Sequence, residues 1–72
     1  MKDYHINIFY SDEDSGYIAD VPDLKNCSAF GITPNEALQQ VLTAQKLWLD
    51  EARSGNLPIP IPQYRPMIYK VV

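Results

Sequence analysis

Thr33-Pro34-Asn35-Glu36 marks the start of a helix, and this constrains the fold more than any other stretch of the chain. A threonine hydroxyl at the N-cap accepts a backbone N–H that the first turn cannot satisfy by itself. Proline fits the first helical position, where its missing donor costs nothing. Glutamate three residues after the cap can reach back to a second orphaned donor, which completes a capping box. Downstream, Leu38, Val41, Leu42, Gln45, Leu49 and Ala52 recur at helical spacing on one face, with Trp48 at its border. Gln39, Thr43, Lys46, Asp50 and Arg53 fall outside that face, and Lys46–Asp50 is an i,i+4 pair. Ser54-Gly55-Asn56 ends the run, with Gly55 expected in the left-handed cap. A helix with one apolar stripe needs a second layer to bury it, and the rest of the sequence must supply a sheet.

The first half of the chain has that sheet pattern. Tyr4, Ile6, Ile8 and Tyr10 alternate with His5, Asn7 and Phe9, the period of a strand rich in β-formers. Ser11-Asp12-Glu13-Asp14-Ser15-Gly16 is a polar turn, and Gly16 to Val21 is a second strand, so the two form a hairpin. Pro22 to Asn26 breaks the pattern. Cys27-Ser28-Ala29-Phe30 is a short third strand closed by Gly31. After the helix, Leu57-Pro58-Ile59-Pro60-Ile61-Pro62 reads as extended chain that pairs on one edge at most, because alternate prolines strip donors from the other. Pro66 to Val71 has the composition of a last strand. The expected class is therefore α+β, in the order β-β-β-α-β, with one helix on one face of a small antiparallel sheet. The Ile6/Ile8 face goes under the helix with Tyr17, Ala19 and Val21. Phe9, Ile18 and Phe30 then share the opposite face with His5, Asn7, Asp20 and Ser28. Nothing remains to cover that face, which makes it the candidate interaction surface.

At 72 residues the chain is read as one domain, residues 1–72. A domain of this size buries only about 60% of its unfolded surface, so a staple is expected. Cys27 is the single cysteine and His5 the single histidine, which excludes an internal disulfide and disfavours a metal cluster. Self-association is the remaining staple, and a homodimer or higher oligomer is expected. The net charge of -3, with no basic stripe, disfavours direct DNA or RNA binding by this chain. No apolar run is long enough for a membrane span, and a lone thiol without an export signal points to the cytoplasm.

Catalytic equipment is sparse. Asp12, Glu13, Asp14, Asp20 and Asp23 cluster in sequence, the residue type for a Mg²⁺ or Ca²⁺ site or a metal-dependent nuclease. Their spacing fails the EF-hand pattern, and turn-forming aspartates on a solvated hairpin explain them more simply. Cys27 and His5 on neighbouring strands lack a third, orienting group, and a buried reduced cysteine is the commoner case. No glycine-rich phosphate loop surrounds Gly31. The expectation is a protein that binds another protein, with no cofactor, no metal and no catalytic residue.

The series Gly16-Tyr17-Ile18-Ala19-Asp20-Val21-Pro22-Asp23-Leu24, then Cys27, Gly31-Ile32-Thr33, Glu36-Ala37-Leu38 and Pro58-Ile59-Pro60 resembles the HicB family of antitoxins. The resemblance covers nearly the whole chain, with several motifs in order at matching gaps. It implies a partial RNase H-like fold of three strands, a helix and a short fourth strand. It also implies binding to a HicA-type mRNA-cleaving toxin, whose catalytic histidine is blocked. Many members carry a C-terminal DNA-binding domain, and the sequence ending at Val72 is read as having none. The family's glycine before the cysteine is Asn26 here, a residue that tolerates the left-handed conformation. Phe9, Ile18, Phe30 and Asp20 on the open face are the expected partner-binding residues, with Ile68 and Tyr69 on the last strand.

Overall fold

The computed structural model describes residues 3–64. Within them the chain forms β1 (Asn7–Ser11), β2 (Gly16–Asp20), β3 (Ser28–Gly31) and α1 (Pro34–Ser54). The sheet is antiparallel in the order β1-β2-β3. This is the expected α+β arrangement through the helix; the expected strand at Pro66 to Val71 lies outside the described residues. β1 starts at Asn7 rather than Tyr4, because its partner β2 ends at Asp20. β3 starts one residue later than expected. Cys27 belongs to the loop, where its carbonyl accepts from Val21 N–H (2.9 Å) and its N–H donates to the Leu24 carbonyl (3.2 Å). Asn26 just before it has φ 60°, the left-handed conformation anticipated for that position.

Register sorts the side chains by face. Ile8 pairs with Ala19 and Ala19 with Ala29; Tyr10 pairs with Tyr17 and Tyr17 with Gly31. These residues share the helix side. Phe9, Ile18 and Phe30 lie side by side across the three strands on the other. The division matches the alternation in the sequence.

The helix begins as its cap dictates. Glu36 N–H donates to Thr33 Oγ1 (3.1 Å). The Glu36 carboxylate reaches one residue further than a standard box, accepting from Ile32 N–H (2.6 Å). At the other end, Leu57 N–H donates to the Ala52 carbonyl (2.8 Å) and Asn56 N–H to that of Arg53 (3.2 Å). This is a Schellman closure, and the residue in the left-handed conformation is Asn56 (φ 55°), not Gly55 (φ -89°).

Gly31 determines where the helix lies. A Cβ at this position would fall on the backbone of Glu36 and Ala37. The first turn of α1 therefore sits directly on β3, and the helix covers β3 and β2 while scarcely reaching β1. Its inward residues are Ala37, Val41 and Ala52, with Leu38, Ala44, Trp48 and Leu49 partly buried beside them. Leu42, expected inward, is exposed because the close Ala37 contact centres the buried stripe on Val41. Ile8, expected under the helix, is 39% exposed, since the helix lies over β3 and β2 and scarcely reaches β1. The core is completed by Ala19, Val21, Leu24 and Cys27. Trp48 belongs to it, with its Nε1–H donating to the Lys25 carbonyl (3.0 Å) in the β2–β3 loop. Among the described residues no helix is long and apolar enough to cross a membrane.

The proline-rich segment crosses the end of the sheet. Tyr4 Oη donates to the Pro60 carbonyl. The Asp23 carboxylate accepts from the N–H groups of Gln63 and Tyr64 (both 3.2 Å). The Tyr64 ring lies 4.7 Å from that of His5. The N–H groups just after the proline run are thus taken up by a side chain instead of a strand.

Two predictions follow from this packing. Gly31→Ala should cost about 3 kcal/mol by overpacking against helix backbone. Gly55→Ala, where the added Cβ finds only ordinary contacts of 3.5 Å and more, should be neutral or stabilising by about 0.5 kcal/mol; urea unfolding of both variants checks the contrast. Asp23→Ala should speed hydrogen exchange at Gln63 and Tyr64 by about tenfold, the size of one hydrogen bond to a charged acceptor, and leave exchange in α1 unchanged.

Candidate functional site

The face of the sheet away from the helix is the best-formed candidate surface. Phe9 is 50% exposed and Phe30 41%, with Ile18 half-buried between them. Strand pairing holds the three in one row, so the stripe has a fixed shape without any covering layer. Phe30 also rests over Gly16, where a Cβ would come within 2.5 Å of its ring. The glycine that opens β2 gives the aromatic ring its seat.

Polar groups border the stripe at both ends. At one end, Asn7, Asp20 and Ser28 form the next row. His5 Nε2 stands 2.7 Å from Asn7 Oδ1 on the same side. At the hairpin end, Ser11 opposite Gly16 projects onto this face, two residues on from Phe9. Its hydroxyl donates to Asp14 Oδ2 (2.9 Å) and accepts from Asp14 N–H (3.4 Å). The hairpin thereby holds a carboxylate at the edge of the apolar row. In the sequence Asp14 is weighed as a metal-site carboxylate and read as a turn former; the Ser-x-x-Asp spacing, which favours a side-chain-to-backbone turn, is the signal that could have placed it.

The expected partner-binding residues Phe9, Ile18, Phe30 and Asp20 are thus brought together on one face. Ile68 and Tyr69 lie outside the described residues. The sequence-clustered acids do not stay together: Asp12, Glu13 and Asp14 sit on the exposed hairpin tip, Asp20 on the sheet, and Asp23 binds the backbone of residues 63 and 64. Among the described residues no group of three His, Cys, Asp or Glu side chains is placed to hold a metal ion. His5 is engaged by Asn7 and Tyr64.

Cys27 is 4% exposed and packs into the core. Burial first, and the Asp20 carboxylate second, push its thiol above the ordinary range. An activated nucleophile needs the opposite shift, so this cysteine has the character of a packing residue. The depression next to it, lined by Asp20, Pro22, Lys25 and Asn26 among others, is shallow and open to solvent.

A three-stranded antiparallel sheet covered by one helix, with an apolar row on its open face, defines a small α+β sheet-and-helix protein. The chain is 32% identical over 53 residues to the UPF0150 protein ssl0259 of Synechocystis sp., a match spanning 74% of this chain and 73% of that protein. The chain belongs to the UPF0150 family. No family model matches it, and no solved structure matches it.

The thiol shift has a measurable consequence. The folded chain holds the Cys27 proton more tightly than the unfolded chain does. This contribution to stability is full below the unfolded thiol value of about 8.5 and is lost as pH rises through the higher folded value. Urea midpoints between pH 7 and 10 should therefore fall more steeply for the wild type than for Cys27→Ala.

Proposed function

We propose that this protein is a HicB-like antitoxin domain that binds and neutralises a HicA-type mRNA-cleaving toxin, acting by binding and carrying out no chemistry itself. The observation that carries the proposal is the exposed row Phe9–Ile18–Phe30, fixed across three strands and uncovered in a chain with so small a core. Aromatic side chains held rigidly at the centre of a patch are the kind of residue on which interface energy concentrates. The order of motifs from Gly16 to Pro60 and the β-β-β-α architecture support the same proposal. On this view Phe9, Ile18, Phe30 and Asp20 meet the toxin, and the cytoplasm is the place of action.

A second reading, a module that associates with itself, is favoured by one separate observation. Ile8 and Tyr10 (54% exposed) lie on the helix side of β1, which α1 scarcely reaches. β1 is an outer strand of the described sheet, whose outward backbone groups suit pairing with another strand, and its uncovered side chains would pack against whatever accompanies that strand.

The test is to mix the purified protein with a HicA-type toxin encoded beside it and follow RNA cleavage. Equimolar protein should stop cleavage. Phe9→Asp and Phe30→Asp should each weaken protection by about thirtyfold or more, the measure of a hot-spot residue, with circular dichroism unchanged. Undiminished cleavage in the presence of the wild-type protein refutes the antitoxin reading.

A further inference from the structure

The open sheet face borders its apolar row with a carboxylate at each end, and Lys25 of the β2–β3 loop shares a depression with Asp20 and Ser28. Asp14, held by Ser11, stands at the hairpin end, and Asp20 stands in the row on the other side of Phe9–Ile18–Phe30. The Ser11–Gly16 row and the Asn7–Asp20 row are four residues apart along the strands, about 13 Å. Glu13 and Asp12 extend the negative end at the hairpin tip. None of the three strands carries a lysine or arginine. Among the described residues neither Asp14 nor Asp20 makes an ion pair, and Lys46 and Arg53 are both paired with Asp50 on the helix (3.3 Å each).

We infer that this face receives a cationic protein surface: an apolar segment flanked on both sides by lysine or arginine, with the flanking charges about 13 Å apart. The inference rests on the antitoxin reading for its choice of face and adds the chemistry of the partner. Among the described residues, the strands of a second copy do not supply that chemistry. Two such faces laid together in either direction set carboxylate rows against carboxylate rows, with no cation on any strand to relieve them. A partner with lysines or arginines at both ends satisfies both carboxylates while its apolar centre covers Phe9, Ile18 and Phe30. Opposite charges at the border also speed encounter and reject acidic competitors.

The test uses two synthetic helical peptides. Both have a leucine and phenylalanine centre. One carries lysines eight residues apart on the same side, about 12 Å along the helix, and the other carries glutamates there. Binding to the full chain is followed by amide chemical shifts of Phe9, Ile18 and Phe30. The lysine peptide should shift these signals and bind about tenfold more tightly than the glutamate peptide at low salt. The difference should shrink at 1 M salt, where screening acts within about 3 Å, and in the double variant Asp14→Asn/Asp20→Asn. Equal binding of the two peptides, no shift from either, or an unaltered preference in the double variant overturns the inference. So does sedimentation in which a wild-type dimer is lost on Phe30→Asp, because a second copy then occupies the face. The same double variant tested on the toxin separates the two proposals. Toxin bound equally well by wild type and double variant removes this inference and leaves the antitoxin reading standing. Toxin ignored by a wild type that prefers the lysine peptide does the reverse.

Discussion

The contact between Gly31 and the first turn of α1 is the constraint from which the rest of the architecture follows. With no side chain at Gly31, helix backbone descends onto the end of β3. Ala37 becomes the point of closest approach, and the buried stripe of the helix is centred from there on Val41. Because that contact lies over an outer strand, the helix axis sits over β3 and β2, and the opposite outer strand is left partly bare. Trp48, two-thirds of the way along the helix, then reaches the β2–β3 loop and closes the core over Leu24 and Cys27. One absent methyl group thus decides which apolar residues are hidden and which remain available.

Much of this was legible in the sequence. The alternation from Tyr4 to Tyr10 and from Gly16 to Val21 assigned every strand residue to the correct face, because a period of two leaves only one way to bury the richer side. Thr33, Pro34 and Glu36 placed the helix start, since each answers a local need of the backbone. The misplaced residues are those whose positions depend on tertiary geometry. Leu42 satisfies helical periodicity and is nonetheless exposed, because periodicity gives a stripe but not the angle at which it meets the sheet. Ile8 satisfies strand alternation, yet the width covered by a single helix is set by where the helix is anchored. Gly55 and Asn56 were both able to take the left-handed cap, and the Schellman hydrogen bonds selected the second.

The open face was legible in the same partial way. Phe9, Ile18 and Phe30 followed from alternation and register alone. The seat of Phe30 over Gly16 and the placement of Asp14 by Ser11 required the hairpin's actual turn geometry, which a count of acidic residues in sequence does not contain. Charged residues that look like one cluster in the sequence are divided by the fold into three jobs. Asp14 and Asp20 border the apolar row, Asp23 holds backbone, and Asp12 and Glu13 remain in solvent.

The crossing segment at the end of the sheet joins residue 4 to residue 60 and residue 23 to residue 64. Among the described residues these contacts close loops of about forty residues and more, whereas the hairpin, third strand and helix are joined by nearer neighbours. Tyr4, His5 and Asp23 therefore depend for their partners on a segment from the far side of the helix. The stiff prolines limit the shapes that segment can take and so lower the entropy lost when it closes.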